Sequence, residues 1–322
     1  MKTNPTIIIS RTDNIGDVVL TLPLAIYLKQ QWPQACIIFL ARDYTAAAIL
    51  ACPAVDQFIC WDNLKTLPQK QAVATLKQLN ADIILHVAPN KKIAQLAKQA
   101  GIPLRIGTNR RWYHWLTCNQ LVNFTRKNSP LHEAQLNFKL LKSLKLKTDF
   151  SLAEISTLQN LTPSTKINSK VEPLLDKNRF NLIIHALTNG NTKEWPMDNF
   201  ARLIQLLPLD KFNIIITGTA KEKPKLKLLL QTELHVRDAV GKLTLDEFIN
   251  LLSHAQGIVV GSTGPLHIAA ALGIHCLGLY PAEKGKSPDR WGPIGKQARY
   301  LVANKCMSEI TPEQVAAIVQ TW

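Results

Sequence analysis

Small polar residues with room for close approach stand together in the second half of the chain. Gly261, Ser262, Thr263 and Gly264 follow a short apolar, β-branched run that predicts a strand. They offer backbone N–H groups and two hydroxyls, and a helix starting there adds about half a positive charge at its N-terminus. This chemistry suits a phosphate or pyrophosphate. An ordinary helix cap uses the same residue types, so that interpretation stays open at this point.

The helix after this turn is predicted to be short and buried. Pro265 suits its first turn and Gly273 its end, and the residues between them are apolar nearly all round. A second strand completes a βαβ unit over residues 257–281. His267 lies in the first helical turn, where imidazole could donate a hydrogen bond to a bound anion, although a lone histidine is more often a core residue.

A carboxylate follows the first predicted strand of the chain. Asp17 comes after the segment that begins at Arg11, and we expect it in the first turn of a helix, where a carboxylate is stabilised and stays ionised. Gly16 permits close approach of a ligand. Asp17 could therefore act as a base, while a helix-capping carboxylate is the commoner role for such a residue.

Two further loops after strands carry residues suited to phosphate. The loop after the strand at 182–186 supplies Thr188 and Lys193, although a surface lysine in an ordinary loop is the simpler interpretation. The turn at 217–219 is rich in Thr and Gly. It matches neither G-x-G-x-x-G nor G-x-x-x-x-G-K, so the sequence supports neither a dinucleotide site nor a P-loop.

A basic and aromatic segment lies in the first half, at residues 105–115. Arg105, Arg110 and Arg111 are followed by two Trp and one Tyr. Arginine makes bidentate contacts with phosphate and carboxylate groups. A basic loop with aromatic packing is an equally good explanation.

Composition limits the classes of function. The 322 residues carry a net charge of +15, with 46% hydrophobic and 19% charged residues, which predicts a folded protein with an acidic partner. No nucleic-acid-binding motif is visible, so anionic lipid or phosphorylated sugar is favoured. The six cysteines show no C-x-x-C spacing and are interpreted as buried apolar residues. The N-terminal apolar run is too short for a signal peptide, and no segment is long enough to span a membrane, so we expect a cytoplasmic location.

The periodicity predicts two α/β halves with mostly parallel sheets. Strands are expected at 7–9, 36–40, 58–60, 83–87 and 104–106, with helices at 17–31, 70–79, 91–99 and 132–144. After a boundary near Ser169, strands are expected at 182–186 and 213–216, and helices at 198–206, 221–230 and 245–253. The predicted domains are thus 1–168 and 169–322. A last helix, at 311–319, could pack on either half.

Three motifs in order resemble glycosyltransferase family 9, the bacterial heptosyltransferases of the lipopolysaccharide inner core. They are IGDVVLTLP at 15–23, TNGNTKEWP at 188–196 and GSTGPLHIAAALG at 261–273. The resemblance runs along nearly the whole chain. It implies an α/β fold of the GT-B class, with two Rossmann-like domains whose parallel sheets face each other across a cleft. The N-terminal domain would bind the acceptor and the C-terminal domain the nucleotide sugar. In this family the terminal helix often packs on the N-terminal domain.

The resemblance also implies roles for individual residues. Asp17 would be the general base, Lys193 would neutralise the pyrophosphate, and phosphate contacts would come from Thr188, Thr263, Gly264 and His267. Glu222 would reach the ribose and Leu243 the base. Several family members carry Asp where this chain has Ser262, near the donor sugar, which leaves the identity of the sugar open.

The implied reaction is an inverting transfer, most simply from ADP-heptose to a lipid-linked anionic saccharide at the cytoplasmic face of the inner membrane. Arg105, Arg110 and Arg111 would bind that acceptor. The resemblance implies no metal and no cofactor, since the N-terminus of a helix and Lys193 can stabilise the leaving charge. A non-catalytic binding protein for nucleotide sugars or anionic glycans is the alternative. An epimerase of the same fold would need more cleft carboxylates than the sequence offers.

Overall fold

The computed structural model describes residues 3–127, 129–188, 190, 192–232, 236–283 and 285–322. The chain forms two compact units, Met1–Leu161 and Thr162–Trp322. Their boundary lies slightly before the expected break near Ser169. Among the described residues, no helix combines the length and apolar character needed to cross a bilayer.

The first unit is built on a six-stranded, all-parallel sheet. Its strands are β1 (Thr6–Ser10), β2 (Cys36–Ala41), β3 (Gln57–Cys60), β4 (Ile83–His86), β5 (Leu104–Thr108) and β6 (Gln120–Val122). Their order in the sheet is β3-β2-β1-β4-β5-β6, and β1 pairs with both β2 and β4. The central strands are continuous apolar runs because helices cover both faces of a parallel sheet.

The helices of this unit follow the expected alternation. They are α1 (Ile15–Val19), α2 (Leu22–Gln31), α3 (Ala46–Leu50), α4 (Trp61–Leu64), α5 (Gln69–Gln78), α6 (Lys91–Gln99), α7 (Trp112–Thr117), α8 (Glu133–Phe138) and α9 (Leu152–Thr157). The single helix expected at 17–31 is divided, since Pro23 begins a second helix. The helix expected at 132–144 is α-helical only as far as Phe138 and continues as a 3-10 helix over Lys139–Leu144.

The second unit repeats the same architecture. Its strands are β7 (Phe180–His185), β8 (Phe212–Ile216), β9 (Arg237–Asp238), β10 (Gly257–Gly261), β11 (His275–Pro281) and β12 (Ala298–Ala303). They are all parallel and lie in the order β12-β11-β10-β7-β8-β9. Counted within each unit, both sheets have the order 3-2-1-4-5-6, the Rossmann topology. The strand order turns between β1 and β4 in the first unit and between β7 and β10 in the second.

The helices of the second unit are α10 (Met197–Leu206), α11 (Lys227–Thr232), α12 (Leu245–His254), α13 (Gly264–Leu272), α14 (Pro288–Trp291) and α15 (Pro312–Val319). The helix expected at 221–230 is interrupted at Pro224, so a 3-10 turn, Ala220–Glu222, precedes α11.

The terminal helix α15 belongs to the core of the second unit. Val315, Ala316 and Val319 lie in the same apolar cluster as the buried residues of α10, which α15 contacts. The Trp195 indole N–H donates to the carbonyl of Ile310, 2.8 Å away, just before the helix. The apolar face of α15 is thus covered by its own unit, one of the two alternatives that the sequence left open.

Candidate functional site

Ligands of open parallel sheets bind beyond the carboxyl ends of the strands, where the strand order turns. In the first unit this position is occupied by the segment after β1, which carries Arg11 and Asp17. In the second unit it is occupied by the loops after β7 and β10, which carry Thr188, Lys193 and the turn 261–264. The predicted residues therefore stand at the ligand-binding edge of each sheet.

Arg11 is the centre of a buried ionic network in the first unit. It is only 2% exposed. Its guanidinium donates to Asp13 at 2.7 Å, to Glu133 at 3.0 Å and to the side-chain carbonyl of Asn137 at 3.1 Å, and it also donates to Asp17. Arg126 makes a second ion pair with Glu133. Three carboxylates thus share two arginines.

This surplus of carboxylates sets the proton affinity of Asp17, which is 8% exposed. Burial raises the pKa of the Asp17 carboxyl to about 6 despite the attraction of Arg11, and the charges of Asp13 and Glu133 add to the rise. Burial by itself would lower the pKa of the Arg11 guanidinium, but the three carboxylates raise it above its usual value. Asp17 is therefore ionised at neutral pH but close to the pH at which it takes up a proton, which suits a general base.

Arg11, Glu133, Asn137 and Arg126 were not singled out from the sequence. Glu133 and Asn137 project from α8, which lies more than a hundred residues after Arg11 in the chain. Asn137 also joins α8 to the end of α1, because its amide donates to the carbonyl of Leu20 at 3.1 Å. A buried Asn and Glu one turn apart on an otherwise apolar helix face were the only available signal.

In the second unit, the turn after β10 lies directly against the loop after β7. A Cβ atom added to Gly261 would come within 2.7 Å of the Thr188 Cγ2 atom. Thr263 is the N-cap of α13 in an extended conformation, and its side chain makes no capping hydrogen bond. The Thr263 side chain therefore does not accept a hydrogen bond from the backbone N–H groups in the first turn of α13. This is the arrangement that binds phosphate groups.

The loop after β7 is held by its own carboxylate. Thr188 is buried, and its N–H and hydroxyl both donate to Glu194, at 2.8 and 3.1 Å. Lys193 is 62% exposed and forms an ion pair with Glu283, with 3.5 Å between Nζ and Oε1. Lys193 thus projects at the surface near the carboxyl edge of the sheet, with a weak partner.

Two more predicted residues flank the turn of α13. The Ser262 side chain lies near the hydroxyl of Tyr280, which donates to the carbonyl of Trp291 at 2.6 Å. His267 is buried in the first turn of the helix. The sequence left two roles open for His267, contact with an anion or a place in the core. Its burial is compatible with both, because the ring lies in the helical turn that follows residues 261–264.

The residues predicted to bind nucleoside lie on neighbouring loops. Glu222 is buried and closes a capping box, since its carboxylate accepts from the N–H and the hydroxyl of Thr219, at 2.7 and 2.9 Å. Gly241, with φ of +70°, packs on Ala220, and its N–H donates to the carbonyl of Gly218 at 2.8 Å. The half-buried Leu243 follows this contact. Glu222 therefore has a structural role, whatever else it contacts.

His185 is a residue that sequence analysis missed. It ends β7, and its Nδ1 atom lies 2.9 Å from the Thr217 hydroxyl, which links the loops after β7 and β8. Burial lowers the pKa of its imidazole to about 4, so the ring is neutral at physiological pH.

The three arginines of the basic segment divide into two kinds. Arg105 is tied to its own unit, because its guanidinium donates to the carbonyls of Thr117 at 2.7 Å and Ile102 at 2.5 Å. Arg110 and Arg111 are exposed and lie just before α7. Only these two present guanidinium groups to solvent.

The cysteines and metal-binding residue types add no further site. All six cysteines are free, but only three are buried as expected: Cys36 and Cys60 are half-buried and Cys306 is exposed. In the part of the chain that the structure describes, no three His, Cys, Asp or Glu side chains are grouped as a metal ion would need.

Comparison with known proteins assigns the chain to a family. The sequence profile of glycosyltransferase family 9 (heptosyltransferase) matches residues 71–317. A Haemophilus influenzae protein named only as a glycosyltransferase is 27% identical over 305 residues, covering 92% of this chain and 88% of its own. Lipopolysaccharide heptosyltransferase 2 of Escherichia coli is 24% identical over 306 residues, covering 89% of this chain and 85% of its own.

The fold agrees with these relatives. The E. coli heptosyltransferase WaaC, solved with ADP, superposes with a TM-score of 0.78 over 98% of this chain and 99% of that one, at 20% sequence identity. The two parallel six-stranded sheets are those of the α/β, GT-B class that was expected. The chain is a glycosyltransferase and belongs to glycosyltransferase family 9, the heptosyltransferase family.

Proposed function

We propose that the protein is an inverting heptosyltransferase that uses ADP-heptose as donor and a lipid-linked, anionic saccharide of the lipopolysaccharide inner core as acceptor. Membership of the heptosyltransferase family and the likeness to lipopolysaccharide heptosyltransferase 2 support this choice. The donor is suggested by the relative solved with ADP. The acceptor places the enzyme at the cytoplasmic face of the inner membrane.

The observation that carries the proposal is the state of Asp17. A carboxylate that only capped a helix would be solvated and would have a low pKa, whereas Asp17 is buried and has a pKa of about 6. Such a group is ionised at neutral pH yet basic enough to accept a proton. A binding protein has no use for a base of this kind. Catalysis therefore accounts for Asp17 better than the alternative of a non-catalytic glycan-binding protein does.

In the proposed reaction, Asp17 takes the proton from an acceptor hydroxyl as its oxygen attacks C1 of the heptosyl group. The bond between C1 and the diphosphate oxygen breaks, and ADP leaves with that electron pair. Inversion follows from attack opposite to the leaving group. Arg11 keeps Asp17 in place through their ion pair, and the proton remains on Asp17 until it is lost to solvent.

The second unit would hold the donor. Backbone N–H groups at Thr263 and Gly264 and the α13 dipole would face the diphosphate, with Thr188, Lys193 and His267 around it. Glu222 and Leu243 would border the nucleoside, on the loops joined by Gly241. Ser262 would lie nearest the sugar. The charge of Lys193 and the fixed N–H dipoles would stabilise the departing ADP.

The first unit would recognise the acceptor. We assign the acceptor phosphate or carboxylate groups to Arg110 and Arg111, which are exposed. Arg105 would support them indirectly, because its contacts fix both ends of the segment between Ile102 and Thr117.

The proposal is tested with Asp17→Asn. Loss of the base should lower kcat by about 10²–10⁴-fold, the usual contribution of general base catalysis. ADP affinity, measured by isothermal titration calorimetry, should be unchanged because the donor site lies in the other unit. Parallel loss of ADP affinity and activity would give Asp17 a structural role. A wild-type protein that binds ADP-heptose but transfers nothing to any inner-core acceptor would establish the binding-protein alternative.

A further inference from the structure

Helix α7 presents large apolar side chains to solvent. Trp112, Trp115 and Leu116 are 64%, 63% and 64% exposed. Their spacing of three and four residues places all three on one face of the helix. Single exposed apolar residues are ordinary, but two indoles and a leucine on one face of a six-residue helix form a contiguous patch, which marks an interaction surface. We call these three residues the α7 patch.

Cations from the neighbouring helix α6 border the α7 patch. The ammonium of Lys91 lies 4.8 Å from the centre of the Trp112 ring, and Lys98 donates to the carbonyl of Leu116 at 2.8 Å. Residues 83–132, which include both helices, contain eight Lys and Arg and no Asp or Glu. The apolar patch therefore belongs to a stretch of chain whose Lys, Arg, Asp and Glu residues are all cationic.

We propose that the α7 patch inserts into the interface of an anionic lipid bilayer. Tryptophan is favoured at headgroup depth because its ring is apolar and its N–H is polar. Cations around such a patch are attracted to anionic headgroups. The proposal rests on the proposed function, in which a lipid-linked acceptor keeps the enzyme at a membrane, and it names the surface that meets the lipid.

The charge pattern favours a bilayer over a protein partner. A protein would need a matched apolar pocket surrounded by carboxylates in fixed register. An anionic bilayer offers negative charge on all sides of any inserted side chain, without register. The indole N–H of Trp115 donates to the carbonyl of Asn109 at 3.0 Å, so one ring is already fixed in place before contact. Insertion therefore loses less side-chain entropy.

Flotation with vesicles tests the proposal without donor or acceptor. The wild type should bind vesicles made from an equal mixture of phosphatidylglycerol and phosphatidylcholine. It should bind vesicles of phosphatidylcholine alone much more weakly. The variant Trp112→Ser/Trp115→Ser/Leu116→Ser should lose at least about tenfold in partition coefficient. Leu50→Ser is the matched control, since Leu50 is a 62% exposed leucine on α3 of the same unit. It should leave partition unchanged.

Charge is tested separately. Lys91→Gln/Lys98→Gln should lower partition to the anionic vesicles by about tenfold or more, because each cation near such a surface contributes about fivefold. The control pair Lys142→Gln/Lys211→Gln removes the same net charge from exposed positions elsewhere and should have a much smaller effect.

Four results would overturn the inference: no binding of the wild type to anionic vesicles, equal losses in test and control variants, an unchanged partition of the triple variant, or loss of transfer to a lipid-free acceptor in that variant. ADP binding and circular dichroism check that each variant is folded. If the triple variant loses vesicle binding and the wild type shows no glycosyl transfer, the membrane surface stands and the proposed function fails. If transfer to a lipid-free acceptor also falls in the triple variant, the patch is an acceptor subsite, contrary to the proposal.

Discussion

Asp17 combines an arginine partner with a raised pKa, two features that usually oppose each other. An ion pair stabilises the ionised carboxylate, but Arg11 divides its charge among Asp13, Asp17 and Glu133 in a buried site. The pKa of Asp17 therefore depends on carboxylates that never contact it directly. The fall of kcat/KM at acid pH should therefore originate in this network of carboxylates around Arg11.

Asp13→Asn should lower the pKa of Asp17. The substitution removes a like charge and leaves more of the Arg11 charge to Asp17, and both changes favour the ionised form. Activity requires that form, so kcat/KM rises with pH through the pKa, which is about 6 in the wild type. The acid limb of the pH profile should therefore move to lower pH in Asp13→Asn. Asp198→Asn, at an exposed carboxylate of the second unit, is the control.

A limb that stays in place in Asp13→Asn, or moves to higher pH, would contradict this account of the network. Equal shifts in Asp13→Asn and Asp198→Asn would show a general effect of net charge on the profile.

The sequence identified Asp17 as a candidate but not its surroundings. Its position after a strand and at a helix start was visible in the local pattern. Glu133 and Asn137 reach Arg11, the partner of Asp17, only because α8 meets the segment after β1 in the folded unit, and contacts of such separation leave no local signal. The sequence therefore predicted an ordinary ionised carboxylate, and the fold raises its pKa.

At the scale of elements, the predicted phosphate turn between β10 and α13 is positioned by one close contact with the loop after β7. Because Gly261 has no side chain, the turn lies against Thr188. Gly261→Ala should force the two loops apart. Overpacking of this kind costs about 1–3 kcal/mol of stability. ADP affinity should fall by at least about tenfold, since charge-assisted phosphate contacts are each worth about 1.5–3 kcal/mol.

Gly257→Ala is the control at the other end of the same strand. A Cβ atom there would come within 2.7 Å of the Trp322 ring, a similarly tight contact far from the carboxyl edge. We expect both variants to melt at lower temperature but only Gly261→Ala to lose ADP affinity. Equal ADP affinities in the two folded variants would place the phosphate site elsewhere.

Central strands were predictable, and of the four edge strands only β3, at the edge of the first sheet, was predicted. The βαβ unit at 257–281 matches β10, α13 and β11 closely, with Gly273 at the helix end at φ of +78°, because apolar runs and Gly or Pro boundaries are strong local signals. The strands β6, β9 and β12 were missed. They are short or partly exposed edge strands, defined by pairing with a neighbour rather than by their own composition.

At the scale of the whole molecule, the net charge of +15 favours an anionic partner. Arg110→Gln/Arg111→Gln should raise KM for a lipid-free anionic acceptor while leaving ADP binding intact. Raising the salt concentration should have the same effect on the wild type, because exposed charges are screened beyond about 8 Å at about 0.15 M salt. The lipid-free acceptor separates this effect from attraction to a bilayer.

Lys296→Gln/Arg299→Gln, at exposed cations of the second unit, is the matched control and should leave KM for the acceptor unchanged. If the arginine pair can be neutralised without effect, or if donor and acceptor KM values respond equally to salt, the positive charge has no role in recognising the acceptor saccharide.

Glu194 supplies a carboxylate within the loop after β7, where we propose that the donor diphosphate binds. Its carboxylate accepts from the Thr188 N–H and shares the Thr188 hydroxyl with the carbonyl of Thr192, so a diphosphate using Thr188 would replace a carboxylate rather than water. Donor binding is then an exchange of one anion for another, and the return of Glu194 would help to expel ADP after transfer. Glu194→Gln should accordingly show a lower inhibition constant for ADP and slower turnover. An unchanged inhibition constant would mean that Glu194 remains on Thr188 throughout the catalytic cycle.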